Sequence, residues 1–296
     1  MDPSRTTSLD LSIGPFSDKA HPMTTTTPID YVHGYSAHES RRLGDQADTL
    51  AQLLHADTAY PAGSKVLEVG CGVGAQTVHL VEAGPKTHFT AVDISAASLA
   101  QARARVTAQV PEARVTWHQA NLFELPFADT EFDHLFVCFV LEHLAAPRQA
   151  LAALRRVLRP GGTLTVIEGD HGSAFFHPDS PYAHAVIDCQ VQLQAASGGN
   201  ALIGRELHPL ITGAGYDDVT VRPRTVYADR SRPALVNGFT RNTFTAMIES
   251  VREEALAADL ITPTDWDRGI ADLHRTASED GTFHYTFFKA VAVNPV

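Results

Sequence analysis

The stretch from Lys65 to Thr77, KVLEVGCGVGAQT in one-letter code, constrains this chain more than any other. Val66, Leu67 and Val69 form a short apolar run of the kind that makes a parallel strand buried on both faces. Gly70, Gly72 and Gly74 then set a tight turn, because glycine accepts positive φ and lets another molecule approach the backbone. A helix is expected over Ala75 to Ala83. Strand, glycine turn and helix in this order form the nucleotide-binding opening of a doubly wound α/β domain. Two carboxylates sharpen that reading. Glu68 lies in the strand just ahead of the glycines, an odd place for a charge without a partner. Asp93 closes a second apolar run, Phe89 to Val92, where a ribose-binding carboxylate would lie. The turn lacks the Lys-Ser/Thr ending of a phosphate-binding P-loop.

The rest of the chain keeps the same beat. Residues 1–27 are rich in Ser, Thr and Pro and read as a flexible arm, within which Met23 is an alternative start. Residues 28–60 read as a capping-helix region: Ser36 and Glu39 have capping-box spacing, and Leu43, Ala47, Leu50 and Leu54 recur on one helical face. Residues 61–296 make the main domain. Strands are expected at Thr87–Val92, Val115–Gln119, Phe132–Val140 and Thr163–Glu168, the last after the Pro160-Gly161-Gly162 turn. A helix capped by Ser95 and an amphipathic one through Ala150, Leu151, Leu154 and Leu158 alternate with them. The beat then breaks. Residues 173–200 are too long for a simple connection and read as a lid insertion, an aromatic loop followed by a helix near Ala183–Ala196. Further on, Arg205–Thr212, Pro233–Ala257 and Thr264–Thr276 read as helical, and Val219–Tyr227 as a strand. A final strand, Phe283–Val293, is expected antiparallel beside it.

Glu68, Gly70, Gly72 and Gly74 match the E-x-G-x-G-x-G first motif of the class I S-adenosylmethionine (SAM) methyltransferases, which the chain resembles best over residues 31–170. The resemblance implies a seven-stranded doubly wound α/β sheet with its last strand reversed, the N-terminal capping helix and the lid. It also implies a SAM site. The turn of Gly70, Cys71, Gly72 and Gly74, with Gln76 after it, would face the amino-acid part and sugar, supported by Glu68. Asp93 would accept the ribose hydroxyls, Ile94 would pack on the adenine, and Asn121 and Leu122 would meet its edge. Asn121 stands where the family usually has an acidic residue, and can still accept a hydrogen bond. Cys138 and Val140 would lie near the methionine portion, with Tyr31 and Tyr35 reaching it from the N-terminal side.

The acceptor is less legible. An oxygen or nitrogen acceptor wants a general base, and among fifteen histidines His143, His171 and His177 follow strands or enter the lid, with Asp170 beside the second. A carbon acceptor needs aromatic faces against a carbocation; Phe175, Phe176 and Tyr182, with Tyr31 as a further catalytic candidate, would line such a pocket. The stretch from Tyr31 to Ser36, YVHGYS, and the aromatic lid are similar to the terpenoid C-methyltransferases of the teleocidin type, from actinobacterial secondary metabolism. In that group methylation of a geranyl chain sets off cyclisation. C-methylation of a terpenoid or prenyl double bond is therefore the first reading, and O- or N-methylation of a small metabolite with a His base the second. A nicotinamide-dependent oxidoreductase and a non-catalytic SAM binder stay open as other classes. Glu68 and the missing Tyr-x-x-x-Lys pair disfavour the oxidoreductase.

Composition limits the partners. A formal net charge of −11 opposes nucleic-acid binding, which needs Lys and Arg in excess, and points to a neutral or cationic small molecule. The three widely spaced cysteines show no metal pattern. No stretch reads as a membrane span or a signal peptide, so a cytoplasmic protein is expected. The N-terminal arm suggests a homo-oligomer.

Overall fold

The computed structural model describes residues 37–296, with side chains from Arg42 onward. Tyr31, Tyr35, the Ser36 cap, Met23 and the arm expected to support a homo-oligomer lie outside the described residues. Seven strands form one sheet: β1 (Lys65–Val69), β2 (His88–Asp93), β3 (Val115–Gln119), β4 (Phe132–Cys138), β5 (Leu158–His177), β6 (Asp217–Ala228) and β7 (Thr282–Val293). Their order is β3-β2-β1-β4-β5-β7-β6. The first five run parallel, and β7 lies antiparallel to both β5 and β6. This is the expected doubly wound sheet with a reversed last strand.

Alternation along β1 explains the layering. Val66 joins an apolar cluster with Leu50 and Leu54 of α1 (Ala37–His55) and Val78 and Val81 of α2 (Ala75–Ala83). Its neighbour Leu67 joins the opposite cluster, with Leu151 and Leu154 of α4 (Pro147–Leu154) and Leu207 and Ile211 of α6 (Leu207–Gly213). Successive side chains of a strand point to opposite faces, so a continuous apolar run serves two helix layers. The helix α3 (Ala96–Gln109) starts at Ser95, whose hydroxyl accepts the Ser98 N–H at 3.1 Å.

Helix α1 is tied down at its end. The Lys289 ammonium of β7 donates to Leu54 O at 3.1 Å and to Asp57 Oδ1 and Thr58 Oγ1 at 2.6 Å. A buried ammonium with three oxygen partners is tolerated where an unpaired one would not be.

Three segments differ from the sequence reading. Strand β4 stops at Cys138 rather than Val140, because Phe139 turns into the left-handed region at φ +56. Strand β5 runs on past Glu168: after a break between Asp170 and Phe175 it pairs again with β7, Phe175 opposite His284 and Phe176 opposite Phe283. Residues 173–177 are thus strand and not an aromatic loop, since β7 is long enough to give them a partner. The helix α5 (Pro181–Ala196) follows. Finally, the helical stretch after Pro233 contains a π-helix, Val236–Thr245, which a 3.6-residue period does not announce. Among the described residues no helix is long and apolar enough to cross a membrane.

Candidate cofactor and acceptor site

At the carboxyl ends of β1, β2, β4 and β5 the loops enclose a cavity of about 260 Å³. Its first half is built by the glycine turn. Gly70 takes φ +71, and a Cβ there would collide with Val140; Gly72 takes φ +52 with open space where its Cβ would be. The turn therefore presents bare backbone to the cavity. Asp93 holds it in place, accepting Gly72 N–H on one oxygen and Ser95 N–H on the other, both at 2.8 Å. Each oxygen keeps further acceptor capacity for a ligand. Burial, the largest influence, raises the Asp93 pKa, while the N–H groups of Ser95, Gly72 and Ile94 oppose it. Beside it Ile94 is 51% exposed and adds an apolar surface to the cavity wall.

Glu68 does not line the cavity. It is buried beneath the turn and accepts the Thr77 hydroxyl of α2 at 2.6 Å, tying strand to helix across the glycines. Burial pushes its carboxyl up from 4.5 to about 8, with Asp93 adding repulsion and Thr77 opposing. A carboxyl whose pKa is higher folded than unfolded contributes stability that is complete below 4.5 and is lost as pH rises through 8. Glu68→Gln is expected to flatten that fall. Across this range the variant should gain a few kcal/mol on the wild type in denaturant unfolding. An unchanged difference at all pH values would mean Glu68 stays ionised in the fold.

The other expected cofactor residues divide cleanly. Cys71, Gln76, Asn121, Leu122, Cys138 and Val140 line the same cavity, whereas Gly74 sits behind it as the N-cap of α2. Gln76 is held through its Oε1 by His55 Nε2 at 2.6 Å. The Asn121 side chain accepts the Phe123 N–H at 3.0 Å and shapes the turn it stands in. From above, Arg42, Leu43 and Gln46 of α1 cover this end.

Three comparisons with known proteins agree with this geometry. Residues 67–166 match the family described as "Methyltransferase domain". The methyltransferase GfsG of Streptomyces halstedii is 32% identical over 53% of this chain and 57% of its own length. The O-methyltransferase rstn1 of Aspergillus nomiae is 33% identical over 53% of this chain and 70% of its own length. The chain belongs to the class I SAM-dependent methyltransferases. Several curated relatives are matched over only half to two thirds of their length. Among solved structures, a Haemonchus contortus phosphoethanolamine N-methyltransferase holding SAM shares the fold at TM-score 0.53. It has 18% identity over 84% of this chain and 52% of that one.

The second half of this methyltransferase cavity is aromatic, and its source differs from the sequence expectation. Phe239, Thr243, Phe244 and Met247 reach it from the π-helix and the short α-helix Ala246–Glu249 that continues it, Tyr285 and Phe287 from β7, and Phe139 from the β4 end. The expected acceptor residues lie elsewhere. Phe175 is 63% exposed on β5, Phe176 stacks between His184 and Phe283, and Tyr182 carries Arg268 over its ring at 3.8 Å. His177 ends β5 exposed, outside the cavity. Strand alternation turns Phe175 outward and packs Phe176 on Phe283, away from the cavity, whereas the Phe239–Phe244 wall comes from a π-helix that no local pattern reveals.

Of the remaining histidines, both His143 and His171 line the cavity. His143 Nε2 lies 3.6 Å from Glu142 Oε1, and Gln194 donates to the other Glu142 oxygen at 3.2 Å. His171 is buried, and burial lowers its pKa. Beside it Asp170 is gripped at both oxygens by Arg205, each contact 2.7 Å.

Proposed function

We propose that this methyltransferase transfers a methyl group to an apolar small molecule, at a carbon of a terpenoid or prenyl double bond. The observation that carries this reading is the aromatic wall of Phe139, Phe239, Phe244, Tyr285 and Phe287 facing the glycine turn across one cavity. SAM, when bound, supplies an electrophilic methyl group and leaves as a neutral thioether. Its holders would be Asp93 for the ribose, Ile94 and Leu122 for the adenine, and the Gly70–Gly72 backbone for the remainder. The chain's own part is then alignment and charge: a near-attack geometry accounts for much of the barrier, and aromatic faces stabilise positive charge developing on the acceptor carbon.

A second reading, O-methylation, is supported by His143. A histidine at the cavity wall beside a carboxylate is suited to take a hydroxyl proton. A homo-oligomer and a cytoplasmic setting are part of the proposal and rest on the sequence alone.

Incubation with SAM and prenylated indole or terpenoid extracts, read by mass spectrometry, separates the two readings. A product one methyl heavier at a terpene carbon, with a new ring, is the expected result. Methylation confined to oxygen would replace the first reading with the second.

A further inference from the structure

A buried polar group in the aromatic half is His171, and its hydrogen bonding can be counted. It is 6% exposed, its ring centroid lies 6.1 Å from Phe244 and 5.9 Å from Tyr285, and all three residues line the cavity. Its backbone is fixed: its N–H donates to Ala201 O at 3.0 Å, and the neighbouring Asp170 is locked by Arg205. One ring nitrogen, Nδ1, lies 3.0 Å from the Tyr285 hydroxyl. The other, Nε2, is buried and has no partner among the described residues.

Two proton arrangements are possible, and they differ in what they strand. If Nδ1–H donates to the Tyr285 oxygen, the phenol proton has no acceptor among the described residues. The Nε2 lone pair is then stranded as well. If the phenol donates to Nδ1, both of those groups are satisfied and one group remains, an Nε2–H. Burying an unmet donor or acceptor costs about 1–3 kcal/mol, so the arrangement with fewer orphans wins. Tyr285 is itself 2% exposed, and a Cβ at Gly169 would collide with its hydroxyl. A glycine at that position is what admits the phenol.

We infer that His171 presents Nε2–H as a hydrogen-bond donor in the acceptor half of the cavity. It forms a subsite for a carbonyl, hydroxyl or ether oxygen on an otherwise apolar acceptor. This deepens the proposed function and rests on its assignment of the aromatic half to the acceptor. It also gives His171 a recognition role and leaves proton removal, where needed, to His143. An acceptor without such an oxygen would leave the donor stranded, so the site selects for oxygenated apolar molecules.

The test uses the full chain loaded with S-adenosylhomocysteine and needs no turnover. Nitrogen NMR of the histidine-labelled protein is expected to place the His171 proton on Nε2. Acetophenone and its isostere α-methylstyrene then serve as probes that differ in one oxygen. His171→Leu should weaken acetophenone about tenfold and leave α-methylstyrene unchanged or tighter. His171→Gln, which keeps an N–H donor, should hold acetophenone within about threefold of wild type. A proton found on Nδ1, or both probes responding alike to His171→Leu, would overturn the inference. Should His171→Leu not fold, Tyr285→Phe decides: without the phenol, Nδ1 loses its donor and the His171 proton is expected to redistribute. An unchanged proton position there would equally overturn it. Because every readout is binding or protonation, a failure to find methyl transfer would count against the proposed function alone.

Discussion

Asp93→Ala is expected to weaken SAM binding by at least about 100-fold in titration calorimetry, the largest effect of any single change at the cofactor end. The carboxylate holds Gly72 and Ser95 N–H groups at 2.8 Å while keeping acceptor capacity on the cavity side. Removing it strands two donors and lets the glycine turn relax, and in the proposed seating of SAM it also loses two charge-assisted contacts to the ribose. Asp93→Asn should fall between, because one oxygen becomes an NH₂ that faces a main-chain donor. Equal affinity in Asp93→Ala and wild type would remove Asp93 from the cofactor site.

Glu168→Ala should produce the largest loss of stability. Glu168 is completely buried in β5 and accepts Val140 N–H at 3.0 Å and Leu141 N–H at 2.7 Å. It thereby secures the chain just after Phe139, whose positive φ is strained for a side chain that is not glycine. Burial first, and then repulsion from Glu142, raises its carboxyl well above the usual range, against the pull of the Leu141, Val140 and Glu142 N–H groups. That direction favours the protonated acid, which would work through its acceptor oxygen. Two buried N–H groups left unpaired cost on the order of 3 kcal/mol, which for a chain of this size lowers Tm by roughly 5 °C. Glu168→Gln keeps the carbonyl oxygen and needs no charge, so it should melt within about 2 °C of wild type. If both variants fell equally, the carboxyl would be acting as an anion.

Glu168 also shows where sequence reading reaches its limit. The glycine turn, Asp93 and the part of the cavity they line were legible because their pattern is local: a strand, a turn and a carboxylate at fixed spacing. The strand Val115–Gln119 came out at its observed bounds for the same reason. In contrast, Glu168 read as the last residue of a strand, since its partners are 27 and 28 residues away. The acceptor half is assembled over still longer distances, by β7 inserting between β5 and β6 and by a π-helix laid across it. Phe175 and Phe176 looked like a pocket wall because they were aromatic and adjacent. Adjacent residues of a strand face opposite ways, and the pairing with β7 decided which way that was.

The central claim is that one cavity seats SAM against the glycine turn and turns its methyl group toward the aromatic wall. A crystal structure with S-adenosylhomocysteine tests it most directly. The account predicts the adenine on Ile94, the ribose hydroxyls at Asp93, and the sulfur facing Phe139, Tyr285 and Phe287. A ligand bound elsewhere, or one whose sulfur faces away from those rings, would contradict it.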